Sequence, residues 1–192
     1  MNRNSIVTVL LGIIIVAAII IARNQSSGSQ PPPVSQPSAA GAPSAPGRTT
    51  AIGQRTKMAG CAVNGPLPDR ACTPGAVIAD ATKDQICVPG YAKNVRNVPE
   101  QEKIDVYNSY GVRSHSPGQY EIDHLVSLEL GGSNDIANLW PEAASPVPGF
   151  HEKDRYENYA HDQVCRGEIS LQEAQQRIAG DWLKYWQEAG QP

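Results

Sequence analysis

Residues 120–142 admit few folded forms. A short apolar run carries a carboxylate beside an imidazole at Asp123 and His124; Gly131 and Gly132 break it, and a second short run carries Asn138 and stops at Pro141. Paired glycines followed by Ser133, Asn134 and Asp135 favour a turn between the two runs, so the stretch is predicted to be strand, loop, strand with polar chemistry on the first strand.

The rest of the chain delivers or supports this unit. Residues 5–22 form an uncharged, nearly all-apolar run of 18 residues, which as a helix would span about 27 Å, enough to cross a bilayer. No small-x-small cleavage pattern closes it, which favours an uncleaved signal anchor over a removed signal peptide. Residues 1–4 are then a short cytoplasmic leader, and residues 23–56, rich in Pro, Ser, Gly and Gln, a semi-extended linker. The expected domain is 57–192, outside the cytoplasm in the periplasmic or extracellular space and tethered by a single pass.

Charge limits the choice of partners. Residues 1–56 hold four basic residues and no acid, leaving 12 basic against 19 acidic residues beyond them. A broad basic face for nucleic acid is therefore excluded, and any such grip must be local. The four cysteines Cys61, Cys72, Cys87 and Cys165 include no Cys-x-x-Cys pair; in an exported domain they read as disulfides. Turn signals between residues 64 and 90 predict irregular structure held by such cross-links.

Three helices are expected. Pro99 with Glu100 and Glu102 starts one that ends at Gly111, with Ile104, Tyr107 and Tyr110 as its buried stripe. A second covers 151–167 and sets Asp154, Asn158, His161 and Cys165 along one face. Ser170 and Glu173 cap a third, whose stripe of Leu171, Ala174, Ile178, Trp182 and Trp186 runs to about Ala189.

A histidine titrating near neutrality can take a proton from water, and a neighbouring carboxylate can hold a hard cation. Asn138 can orient the imidazole or fasten the loop through backbone bonds. The Glu-Ile-Asp-His run, the Gly-Gly-Ser-Asn-Asp loop, Asn138-Leu139 and the Lys153-Asp154-Arg155 helix together resemble the ββα-metal, or HNH (His-Me finger), endonucleases, small exported bacterial type. The resemblance is strongest over 120–158.

It implies an α+β fold: a small ββα-metal core of hairpin plus helix, flanked by further helices and an irregular, disulfide-linked N-terminal part, behind one transmembrane helix. It also implies a metal-dependent endonuclease cutting phosphodiester bonds of DNA, with RNA as the second candidate and little sequence preference. His124 maps onto the general base, Asn138 onto the loop-fastening asparagine, and Asp123 and Asp154 onto the metal ligands, with His151 and Asn158 as additional candidates. Oxygen ligands favour Mg2+ or Mn2+, whereas His151 as ligand would leave Zn2+ or Ni2+ open. Arg96, Arg113, Lys153 and Arg155 are the candidates to offset backbone phosphate charge. No protein partner is inferred beyond nucleic acid and membrane.

A second reading keeps the fold but leaves the site idle, as a binding or envelope-associated interaction module. A zinc hydrolase is disfavoured, since His115, His151 and His161 show no tight ligand spacing with His124.

Overall fold

A computed structural model describes residues 49–192; the leader, the apolar run 5–22 and most of the linker lie outside the described residues. Among the described residues no helix is long and apolar enough to cross a membrane. The class is mixed α/β, with two small antiparallel sheets and five α-helices among the described residues.

The expected hairpin is present as β3 (Tyr120–His124) and β4 (Leu139–Ala143), antiparallel with Asp123 opposite Trp140 and His124 opposite Leu139. Between them the chain makes two 3-10 turns, Leu128–Leu130 and Ile136–Asn138. The glycine pair is sterically required. Gly131 has φ 72°, and a Cβ on Gly132 would lie 1.8 Å from the Val126 carbonyl oxygen. A second ribbon, β1 (Thr49–Ala51) on β2 (Ala76–Ile78), abuts this loop, with Ile78 N–H donating to Gly131 O at 2.8 Å and Ser133 N–H to Ala76 O at 3.0 Å. Residues 49–51 thus pair in a sheet although composition alone groups them with the linker.

Two short helices, α1 (Lys83–Ile86) and α2 (Tyr91–Val95), lead to α3 (Glu100–Ser109). The start of α3 and the positive φ of Gly111 (71°) match expectation, but the buried stripe does not. Val106 and Ser109 are buried and Ile104 is 43% exposed, because the helix turns residues 106 and 109 rather than 104 toward its neighbours. Tyr110 closes this packing through a 2.8 Å hydrogen bond to the Thr73 hydroxyl.

The main core lies between α4 (Phe150–Arg166), α5 (Leu171–Glu188) and the β3–β4 loop: Val126 and Leu130 meet Tyr156, Ala160 and Val164 from α4 and Ala174, Ile178 and Trp182 from α5. The α5 stripe is the one its periodicity predicts, except that Leu171 is only half-buried. The helix is not continuous. Asp181 (φ −167°, ψ 84°) breaks it, and the Arg70 guanidinium donates to the carbonyls of Ala179 (2.7 Å) and Gly180 (2.6 Å) that the break leaves without helical partners. The cysteines pair as Cys61–Cys72 and Cys87–Cys165, so no described thiol is free.

Candidate functional site

The site gathers where the end of β3 meets the first half of α4. His124 is buried, and its Nε2 lies 3.2 Å from Asn134 Oδ1. Two further bonds fix which end of the Asn134 amide is oxygen: its Nδ2 donates to Val95 O (2.8 Å), and Oδ1 accepts Asn97 N–H (3.1 Å). Oδ1 can only accept, so Nε2 carries the imidazole proton and Nδ1 keeps its lone pair. Burial pushes the His124 pKa down to about 4, with Asp123 opposing that shift. The ring is therefore neutral near pH 7, with Nδ1 as its basic atom.

Asp123, next in the chain, is buried with Lys153. The Lys153 ammonium, which has no exposed side-chain surface, donates to Asp123 Oδ2 at 2.5 Å, to the His124 carbonyl at 2.8 Å and to the Glu157 carboxylate. Although burial alone would raise the Asp123 pKa, the ammonium holds it below the usual carboxylate range. Burial also acts against the charged Lys153, but the surrounding carboxylates hold its pKa above the ordinary lysine value. Glu142, from β4, is 1% exposed, and no neighbouring N–H or hydroxyl donates to either carboxyl oxygen; burial raises its pKa well above normal, with Lys153 opposing the shift and Asp123, within hydrogen-bonding reach of a protonated Glu142, adding to it. Burial lifts Glu157 to about 8 against the pull of Lys153.

A half-exposed rim surrounds this buried group. Burial, then the charges of Asp123 and Asp154, lifts Glu121 to about 7. Asp154 is half-buried and raised by burial and by Asp123. Arg96, exposed at the end of α2, acts electrostatically on Glu121, His124 and Asp154. Asp123, His124, Asp154 and Arg96 are thus brought into one neighbourhood.

The remaining candidates are placed differently. Lys153 is corrected: it is not a surface cation for phosphate but an internal counter-ion, buried because Asp123 and Glu157 compensate its charge. Asn138 does not touch the imidazole; its amide accepts from Val126 N–H (2.9 Å) and Ala76 N–H (3.3 Å) and donates to Val126 O (3.0 Å) and Ser133 O (2.9 Å). Of the two roles open to Asn138, it fills the loop-fastening one, and Asn134 holds the histidine. The Asn134 role escaped sequence reading, although the Gly-Gly-Ser-Asn motif contains it.

His151 is exposed and packs on Phe150 at 4.2 Å between ring centroids, and Asn158 donates to its own helix at Asp154 O (2.7 Å). Arg155 pairs with Glu152 (3.2 Å) and Pro192 O (3.1 Å). Arg113 lines a separate groove with Tyr107 and His115.

The oxygen donors Asp123 and Asp154, with Glu121 nearby, suit a hard cation, which binds through one or two carboxylates and retains water. Among the described residues they do not close into a cluster of three converged ligand atoms; the only such cluster is Cys87, His161 and Cys165, two of whose sulfurs are joined as a disulfide. Compared with known proteins, the chain matches no family model, no curated protein and no solved structure.

Proposed function

We propose that the protein is a membrane-tethered, extracytoplasmic, metal-dependent endonuclease of the HNH type, hydrolysing phosphodiester bonds of DNA, or of RNA, with little sequence preference. The observation that carries this reading is the hydrogen bond between His124 Nε2 and the fixed Asn134 amide, which assigns the ring's tautomer. An imidazole that donates through Nε2 to a fixed amide keeps Nδ1 free as the acceptor for a proton from water, a weaker base than a near-neutral histidine because burial holds its pKa at about 4.

In this mechanism His124 Nδ1 accepts the proton of the attacking water, and Asn134 holds the ring while charge develops on it. Asp123 and Asp154 would bind Mg2+ or Mn2+, which when bound polarises the phosphoryl group and stabilises the leaving oxygen. Arg96 offsets phosphate charge at the rim. The excess of acidic residues in the domain implies weak, salt-sensitive binding.

One observation favours the alternative of an idle binding module. Lys153 occupies Asp123 Oδ2, an oxygen a cation would otherwise use. The test is nicking of supercoiled plasmid by the full-length protein in mild detergent across a series of divalent metals. Wild type should nick with Mg2+ or Mn2+, and His124→Ala should be slower by about 100-fold or more. Equal activity of the two at equal purity, or none in either, would remove the enzymatic reading and leave the module.

A further inference from the structure

The far end of α4 carries three side chains that the proposed chemistry does not use. Cys165 and His161 stand one turn apart on the helix, and Cys87 reaches them from the C-cap of α1; their ligand atoms all lie within 4.8 Å of one another, and each residue is half-buried. His161 Nε2 is 3.5 Å from Cys165 Sγ and 3.1 Å from the Ile86 carbonyl oxygen, and its Nδ1 faces Asp162 at 4.0 Å. Lys153 and Cys165 are separated by about 18 Å of helix rise, so this group is distinct from the His124 neighbourhood.

We propose that the thiol form of the protein binds one thiophilic divalent cation, Zn2+ being the type, through Cys87, His161 and Cys165, and that this site and the Cys87–Cys165 cross-link exclude each other. Two thiolates and an imidazole form a soft donor set with room for water as a fourth ligand, in contrast to the oxygen donors near His124.

The chemistry balances. A dithiol reductant gives two electrons and two protons to the Cys87–Cys165 bond, leaving two thiols and becoming a disulfide itself. Metal binding then releases the two thiol protons to solvent. The His161 proton moves from Nε2, where it now serves the Ile86 carbonyl, to Nδ1, where Asp162 can accept it in the carboxylate–histidine–metal arrangement. The fold itself supplies the alignment, since the helix fixes 161 and 165 and the α1–α4 packing fixes Cys87. Such a site would belong to chains not yet oxidised, holding the α1–α4 contact before the cross-link forms.

The experiment uses full-length protein in detergent, reduced, freed of reductant under argon and titrated with Co2+, with circular dichroism on every sample. The proposal expects a thiolate-to-cobalt charge-transfer band with tetrahedral d–d absorption that saturates at one Co2+ per chain, and no such band in oxidised protein. Cys165→Ser should abolish the band, His161→Gln should weaken binding by about tenfold or more, and Cys61→Ser/Cys72→Ser should leave both unchanged. The proposal is overturned if the band is absent, if it survives Cys165→Ser, or if it is lost in the Cys61→Ser/Cys72→Ser protein. A reduced chain that is unfolded and that Co2+ neither binds nor refolds overturns it equally.

Discussion

The two halves of α4 are anchored by contrasting means. The first half places Lys153 and Glu157 against Asp123 and Glu142 from the hairpin; the second places Ala160 and Val164 in the apolar core and joins Cys165 to Cys87. Apolar burial and a cross-link stabilise without electrostatic debt, whereas buried ions must recover a desolvation cost of several kcal/mol each. The charged end therefore contributes placement more than stability. It sets Asp123 beside His124 and ties the His124 carbonyl to the helix, which is where a reactive pair would need rigidity.

Three measurements can break or sharpen this contrast. Replacing both cysteines of the far end, Cys87→Ala/Cys165→Ala, releases a loop of 78 residues in sequence separation and should cost about 4 kcal/mol in denaturant unfolding. That loss should be nearly the same at pH 5 and pH 7.

At the near end, Lys153→Met keeps most of the volume but strands the buried Asp123 carboxylate, and should cost about 3 kcal/mol at pH 7. Here the cost should shrink at pH 5, where Asp123, no longer held down by the ammonium, can take up a proton, whereas Glu157, lifted to about 8, already carries one at pH 7. A pH-independent loss at Lys153, or a pH-dependent one at the cysteines, would erase the distinction.

The third measurement concerns His124. Its folded pKa, about 4, lies below the ordinary 6.5, so the unfolded chain binds the proton first as pH falls. Its contribution to stability is fully present above about 6.5 and is lost progressively down to about 4. His124→Gln should therefore flatten the acid limb of the stability profile between those values, and an unchanged limb would mean that the ring is not buried in its neutral form.

Much of this architecture was legible in the residues. The β3–β4 hairpin announces itself through Gly131-Gly132, and the α5 stripe through a spacing that only a helix explains. Lys153 was not legible, because a lysine on an amphipathic helix reads as solvent-facing until its counter-charges are known. One of these, Glu157, lies a turn away, but Asp123 comes from 30 residues earlier. Asn134 and Asn138 are alike in type and share one loop, and only the fold decides which amide faces the imidazole and which the backbone. The break in α5 has no proline to mark it, and the arginine that donates to its carbonyls, Arg70, stands more than a hundred residues upstream.

That arginine bears on the order in which the molecule can assemble. The carbonyls it receives lie 109 and 110 positions away in sequence, and the neighbouring bond from Trp182 Nε1 to Pro66 O spans 116. Contacts this distant are reached only after large chain-closure entropy is overcome. The last turns of α5 should consequently find their final angle late, once the segment around Pro66 and Arg70 has docked. Synthesised N-terminus first, the chain would thus present that segment early and wait for the last turns of α5 to complete the joint.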